Sequence, residues 1–356
     1  MDDILLDRNE NHYGPSPRCL TVVRQATTEL LACYTRDFKH GYYSELSETL
    51  SRRHGIDEKR IVLGYGCEDL LKQAVHHYLG AGEPCLVPSA SWWYYNAIAG
   101  EVGGVTLEYP IVERLDGYEY DIDALKRIHS ERRAKLVLIS TPNNPTGNIF
   151  PYARLGEVLE HFRDAIVILD EAYLGFADDP QPDLAPFVDR YPNLLVLRSF
   201  SKLYGLAGIR IGYGIAGTGL RSFLEFSARY LGYNRVSERV ALAALADTAY
   251  YEDLRRRFAR DRRRFYETLG RFEGVRAYRS QANFVLARFP ERVISPLKSG
   301  LEQRGLVIKF FNEPAFKSCA RITLGTEAQN NRLLEAFREL LPRWLGSDSV
   351  DAPAAQ

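Results

Sequence analysis

Three apolar runs, each leading into a polar cluster, constrain this chain more than any other feature. They are Leu136-Val137-Leu138-Ile139-Ser140, Ala165-Ile166-Val167-Ile168-Leu169 and Leu194-Leu195-Val196-Leu197. Continuous apolar stretches of about five residues, with helix-like segments between them, read as strands of a parallel sheet covered on both faces. In such a sheet ligands bind at the carboxyl ends of the strands. The three runs end in Thr141-Pro142-Asn143-Asn144-Pro145-Thr146-Gly147, Asp170-Glu171-Ala172-Tyr173 and Ser199-Phe200-Ser201-Lys202. Each cluster has a plain structural reading, since Asn-Asn-Pro-Thr-Gly makes a good turn and Asp-Glu after a strand caps the next helix. Three in this order, on successive strand ends, point to one shared site.

Lys202 carries the sharpest chemical implication. It sits where the third run breaks into a small, hydroxyl-rich turn that ends eight residues later at Arg210. A lysine amine held near neutrality forms a Schiff base with an aldehyde, and Ser199, Ser201 and Arg210 supply donors for a phosphate on the same ligand. Taken alone, a solvated loop lysine is the commoner case.

Asn144 within NNPTG, Asp170 and Tyr173 within DEAY, Lys202 within SFSK, Arg210 after GLAG and Arg321 within RITLGT resemble the fold type I pyridoxal-phosphate aminotransferases. The most similar subgroup is the histidinol-phosphate aminotransferases, whose amino-terminal signature is echoed by Asn9-Glu10-Asn11-His12-Tyr13-Gly14-Pro15-Ser16-Pro17. The resemblance runs from about Leu6 to about Leu341. It implies an α/β fold: a large domain with a mostly parallel sheet sandwiched by helices, plus a smaller α+β domain. It also implies pyridoxal 5'-phosphate as cofactor, a small-molecule amino donor, 2-oxoglutarate or another 2-oxo acid as acceptor, and a homodimer with shared active sites.

The roles implied by the resemblance suit the residue types. Lys202 is the Schiff-base lysine and proton carrier. An Asp170 carboxylate against the pyridine nitrogen favours its protonated form, the better electron sink. Asn144 and Tyr173 can donate to the ring's phenolic oxygen. Ser199, Ser201 and Arg210 anchor the phosphate, joined by backbone amides of Gly66, Cys67 and Glu68 where they open a helix. Trp93 matches the ring-stacking position, and Tyr13, Asn144 and Arg321 are the candidates for substrate contact. Arg321 has a planar fork that holds a carboxylate or phosphate bidentately.

Three departures stand out. Cys67 replaces a residue that is usually serine. Lys309 stands where the subgroup carries a second arginine, and an ammonium cannot reproduce a bidentate grip. Trp92-Trp93-Tyr94-Tyr95 is an unusual run, for which core packing is the ordinary reading of three of the four. Histidinol phosphate is therefore expected to be a poor donor and a specialised amino acid a better one. The tyrosine that family members lend across a dimer interface stays unassigned: Tyr34, Tyr42 and Tyr43 flank Arg36-Asp37-Phe38-Lys39-His40, and the simplest alignment puts Phe38 there.

Composition agrees. Lys plus Arg and Asp plus Glu are each 46 in 356 residues, a formal net charge of zero, which argues against long-range attraction to nucleic acid or an anionic membrane. Arg255-Arg256-Arg257 and Arg262-Arg263-Arg264 fall in a strongly helical stretch and are expected to form its solvated face. Five cysteines without a Cys-x-x-Cys pair suggest reduced thiols. Adjacent His76 and His77 point to different sides of a helix, and no metal site is expected. The acidic start Met1-Asp2-Asp3 and the lack of a long apolar run lead to the expectation of a soluble, cytoplasmic protein.

The expected organisation is an arm at 1–34, a large cofactor domain at 35–245, a small domain at 246–346 and a frayed tail at 347–356. Alternatives remain on the same scaffold, because the electron sink is shared among decarboxylation, cyclisation, elimination and oxidation. A nicotinamide enzyme is disfavoured: Gly64-Tyr65-Gly66 and Gly217-Thr218-Gly219 lack the third glycine of the dinucleotide fingerprint.

Overall fold

In the computed structural model of the protein, residues 3–41, 43–178 and 182–345 are described. The expected tail at 347–356 and Tyr42 lie outside them. The larger sheet consists of β2 (Ile61–Gly64), β3 (Pro84–Pro88), β4 (Val105–Tyr109), β7 (Leu136–Ser140), β8 (Ile166–Asp170), β9 (Leu194–Ser199) and β10 (Gly212–Ala216). Their order is β2-β10-β9-β8-β7-β3-β4. Only β10 opposes its neighbours; β3, β4, β7, β8 and β9 run parallel. A short hairpin of two strands, β5 (Ile111–Glu113) with β6 (Tyr118–Tyr120), lies between β4 and β7 in the chain.

Both faces of this sheet are covered, as continuous apolar strands require. Val137, Ile139, Val167, Leu169, Leu194 and Val196 enter one core. Leu136, Leu138, Ile168, Leu195 and Leu197 enter the other, against Leu70, Leu71, Ala74 and Val75 of the helix Cys67–Tyr78. The two sets alternate along each strand because successive side chains point to opposite faces. Each fully buried Val, Leu or Ile contributes about 1.5–3 kcal/mol of transfer free energy. The arrangement thus holds the strand ends rigidly.

The second sheet is built from β1 (Ile4–Leu6), β11 (Arg276–Ala277), β12 (Phe284–Arg288), β13 (Leu306–Phe310) and β14 (Cys319–Thr323), in the order β1-β13-β14-β12-β11. The amino-terminal arm is therefore a structural member of this sheet: Ile4, Leu5 and Leu6 pair in parallel with Leu306, Val307 and Ile308. The helix Thr248–Leu269 packs beneath, burying Leu254, Phe258, Phe265 and Leu269. That periodicity corrects one expectation. Arg262 lies four residues after Phe258, on the buried stripe, where it donates to the Ala282 carbonyl at 2.9 Å and to Asp178 at 2.6 Å. Arg255, Arg256, Arg257 and Arg263 are exposed. The strand β10 begins only at Gly212, because Ala207–Ile209 form a tight turn and Arg210 adopts a left-handed backbone at φ 54°.

Candidate active site

Register fixes the rim of the large sheet. Gly212 of β10 pairs with Ser199 at the end of β9 and with Gly64 at the end of β2. Ser140 of β7 pairs with Asp170 of β8. The loops that leave these ends enclose a cavity of about 850 Å³ with the arm and the second sheet. Of the candidate residues only Tyr13 is absent from its lining; Gly66, Cys67, Glu68, Trp93, Asn144, Asp170, Tyr173, Ser199, Ser201, Lys202, Arg210 and Arg321 are all brought together there.

Asp170 and Glu171 share a motif but not a fate. Glu171 turns away into a buried ion pair with Arg198 at 2.7 Å. Asp170 faces the cavity; its carboxylate accepts from the Tyr95 hydroxyl at 2.8 Å and from the Ala172 amide at 3.0 Å. Burial pushes its carboxyl above the ordinary range, the two hydrogen bonds pull against that shift, and no cation among the described residues offsets it. A buried carboxylate of this kind calls for a cationic partner, since an unpaired buried charge costs several kcal/mol. A protonated ring nitrogen fits that requirement.

A second part of the cavity suits an anion. The helix Cys67–Tyr78 begins at Gly66 with no side-chain cap on its first amides, and such a helix start attracts negative charge. Gly66 has φ 93°, and a Cβ built on it would lie 2.9 Å from Nη2 of Arg210. A Cβ on Gly212 would meet the Cys67 nitrogen at 2.6 Å. Two glycines thus leave open a cradle that any side chain would fill. Arg210 reaches it by donating to the Tyr65 carbonyl at 2.9 Å, with Glu68 at 3.4 Å. The Ser199 hydroxyl accepts from the Ser201 amide at 3.0 Å. Cys67 is buried, and burial with the Asp170 charge pushes its thiol far above the ordinary range, which keeps it protonated.

Lys202 is held from the arm. Its amine donates to the Arg8 carbonyl at 3.2 Å and lies 5.5 Å from the centre of the Tyr173 ring. The Tyr173 hydroxyl accepts from Nδ2 of Asn9 at 2.9 Å. Asn9 itself is tied by its amide to Thr323 and by its carbonyl to Asn283. Asn11 donates to the Leu203 carbonyl at 2.9 Å, and a Cβ on Gly205 would meet the Gly14 backbone at 2.6 Å. The loop bearing Lys202 and the arm are in direct contact.

Arg321 on β14 donates to Oδ1 of Asn144 at 2.5 Å and to the Asp7 carbonyl at 2.5 Å. Its Nε is buried without a partner among the described residues, and burial lowers its pKa against the pull of Tyr173 and Asp7. A substrate carboxylate would satisfy that nitrogen. Lys309 on β13 pairs directly opposite Arg321 and lines the same cavity.

Some residues fall elsewhere. Tyr13 packs edge-on against Phe258, with the Arg257 guanidinium 5.5 Å from its ring. Trp93 lines the cavity with 62% of its surface exposed, whereas Tyr95, expected mainly as packing, is buried and bonded to Asp170. Tyr95 and Asn9 line the cavity and were passed over by sequence reasoning. Asn9 lay inside the quoted signature, and Tyr95 lay in an aromatic run that gave no sign of which ring faced inward. Phe38, Tyr34 and Tyr43 are exposed.

Comparison with known proteins bears on the same chemistry. A family model described as aminotransferase class I and II matches residues 1–337. A histidinol-phosphate aminotransferase of Anaeromyxobacter sp. is 34% identical over 339 residues, covering 94% of this chain and 90% of that protein. Histidinol-phosphate aminotransferase 2 of Archaeoglobus fulgidus is 32% identical over 337 residues, covering 94% and 92%. The crystal structure of histidinol-phosphate aminotransferase from Sinorhizobium meliloti in complex with pyridoxal-5'-phosphate superposes with a TM-score of 0.85 at 26% identity, covering 96% of this chain and 91% of that one. With its motifs on the strand ends and its match running nearly end to end, the chain belongs to the aminotransferase class I and II family.

Proposed function

We propose that this aminotransferase moves an amino group from an amino acid or a phosphorylated amino alcohol to a 2-oxo acid, using pyridoxal 5'-phosphate joined to Lys202. The observation that carries the reading is one cavity that holds a buried Asp170 without a cation, an anion cradle at Gly66 and Arg210, and the Lys202 amine. When bound, the cofactor supplies an aldehyde for that amine and an electron sink for the donor's reacting carbon.

The chain's own residues supply the rest. Asp170 holds the ring nitrogen protonated, because an opposite charge in a poorly solvated site favours the charged form. Helix amides, Ser199, Ser201 and Arg210 hold the phosphate, which fixes the ring's position. Lys202 would lie tethered beside the donor's reacting carbon, where its amine could carry that carbon's proton. Arg321 takes the anionic group of the donor and then the carboxylate of the acceptor, such as 2-oxoglutarate. Borohydride reduction of the cofactor-loaded protein followed by peptide mapping tests the assignment. Label is expected on Lys202, and label on another lysine would overturn it.

Lys309 sets the donor. As a single ammonium opposite Arg321, it supplies a point charge beside that fork and not a second fork. A specialised amino acid is therefore the proposed donor, and histidinol phosphate a slow one, although relatives carry that name. A half-reaction screen, adding histidinol phosphate and a panel of amino acids singly, checks this by conversion of the bound cofactor to its amine form. Fastest conversion by histidinol phosphate would refute the donor assignment. Oxygen uptake without conversion would point to one of the other reactions of the scaffold.

A cytoplasmic homodimer completes the reading. Leu31, Tyr34, Phe38, Tyr43, Phe226, Tyr230 and Leu231 are all exposed, which supports burial of their surface against a second copy. All five cysteines are free, and among the described residues no helix is long and apolar enough to cross a membrane. Light scattering of the cofactor-loaded protein reads the oligomeric state directly.

A further inference from the structure

Asp170 owes its alignment to groups on neighbouring elements. Of its two carboxylate oxygens, Oδ1 accepts the Ala172 amide at 3.0 Å and Oδ2 accepts the Tyr95 hydroxyl at 2.8 Å. The Ala172 bond is local and turns with the strand end. Tyr95 comes from the helix Tyr94–Glu101, is 2% exposed, and is braced edge-on by Trp92 with ring centres 5.7 Å apart. It is thus a rigid, distant anchor on the oxygen that the backbone does not hold.

We propose that Tyr95 is a positioning residue of this active site, whose hydroxyl holds the Asp170 carboxylate ionised and aimed at the cofactor's ring nitrogen. The inference rests on the aminotransferase reading above. A hydrogen bond to the charged form of a buried carboxylate favours that form, against the desolvation that disfavours it. Tyr95 suits the task because it stays a neutral donor: burial and the Asp170 charge push its phenol well above the ordinary value. The other titratable groups facing this carboxylate behave alike. Cys67, whose sulfur lies 4.0 Å from Oδ1, and Tyr120 are both pushed upward by burial. Lys202 lines the same cavity and is committed to the cofactor's aldehyde. Between roughly pH 5 and 9, Asp170 and the ring it faces are then the groups that Tyr95 controls.

The test is Tyr95→Phe, which keeps the ring against Trp92 and removes only the hydroxyl. Without the donor, Asp170 binds its proton more tightly. Cofactor affinity, which the charged carboxylate strengthens, is highest above the carboxyl's midpoint and weakens as pH falls through it. The midpoint of the acid limb, followed by equilibrium dialysis of pyridoxal phosphate, should therefore move up by about one pH unit, with affinity about tenfold weaker below both midpoints and nearly unchanged well above them. On an Asp170→Ala background the same substitution should cause no further loss. A tyrosine that only packs would lower affinity evenly across pH, or lower it equally on both backgrounds, and either result overturns the proposal. Borohydride labelling of Lys202 in the variant separates the two questions. Label at Lys202 with an unmoved midpoint refutes the role of Tyr95 alone. Absence of label at Lys202 in the wild-type protein refutes the aminotransferase reading on which it rests.

Discussion

Gly66→Ala is a single-methyl perturbation whose effect can be worked from two features of the cradle. The first is backbone: Gly66 sits at φ 93°, ψ 165°, a region essentially reserved for glycine, where another residue costs of order 1–3 kcal/mol. The second is contact, since the new Cβ would lie 2.9 Å from Nη2 and 3.4 Å from Cζ of Arg210. The guanidinium is the end of a flexible side chain and will move away, but that movement withdraws a charge-assisted donor from the phosphate. Such a bond is worth about 1.5–3 kcal/mol, or roughly ten- to a hundredfold in affinity. Two assays separate the terms. Thermal unfolding of the cofactor-free protein should show the backbone cost. Titration with pyridoxal phosphate should show the weaker grip, whereas titration with pyridoxal, which lacks the phosphate, should show little change. Equal losses for the two cofactors would refute the cradle as a phosphate site. Unchanged melting would refute the strain argument.

Three other substitutions probe the remaining parts of the molecule. Asp170→Ala should leave Lys202 able to capture the cofactor while turnover falls by orders of magnitude, because the ring loses its partner and the reacting carbon its electron sink; near-normal turnover with cofactor bound would contradict this. Arg321→Lys keeps the charge but loses the fork that now spans Asn144 and Asp7, so steady-state kinetics should show KM for donor and acceptor raised about ten- to a hundredfold, with kcat less affected. Glu238→Gln addresses stability: burial, with Asp37 adding to it, pushes the Glu238 carboxyl up to about 7, and its Oε1 has no hydrogen-bond partner among the described residues. A folded-state pKa above the unfolded value means stability present at low pH and lost as pH rises through about 7. The substitution should therefore add about 1–3 kcal/mol of stability at pH 8, read as a higher melting temperature, and leave it nearly unchanged at about pH 4, below the unfolded carboxyl's ordinary value.

The parts of the site that were legible in the sequence are those written locally. Asn144, Asp170, Ser199 and Lys202 come directly after apolar strands, so their placement on one rim came with the strand assignment. Their helix partner at Gly66 was expected only from the family resemblance. What stayed hidden depends on pairing at long range. Nothing local in Ile4-Leu5-Leu6 names β13 as its neighbour, and nothing in Asn9 names Tyr173. Arg262 shows the opposite failure, since the periodicity that buries it was in the sequence but charge suggested solvent. In the Trp92–Tyr95 run every residue is aromatic, so neither polarity nor period distinguished Tyr95 from the rings around it. The expectation for Tyr13 had the same limitation: its signature is local, while its position against Phe258 is set by a helix near the other end of the chain.

The pairing of β1 with β13 also sets a timetable for synthesis. Residues 4–6 leave the ribosome about three hundred residues before their partners at 306–308, roughly 15–60 s earlier at bacterial and eukaryotic elongation rates. Until then the arm, whose Arg8, Asn11 and Gly14 brace the Lys202 loop, lacks the strand pairing that fixes it to the second sheet. The large sheet can form while the chain is still growing, but a finished cavity cannot. Nascent chains stalled before residue 306 should therefore leave the arm open to protease, and full-length release should protect it.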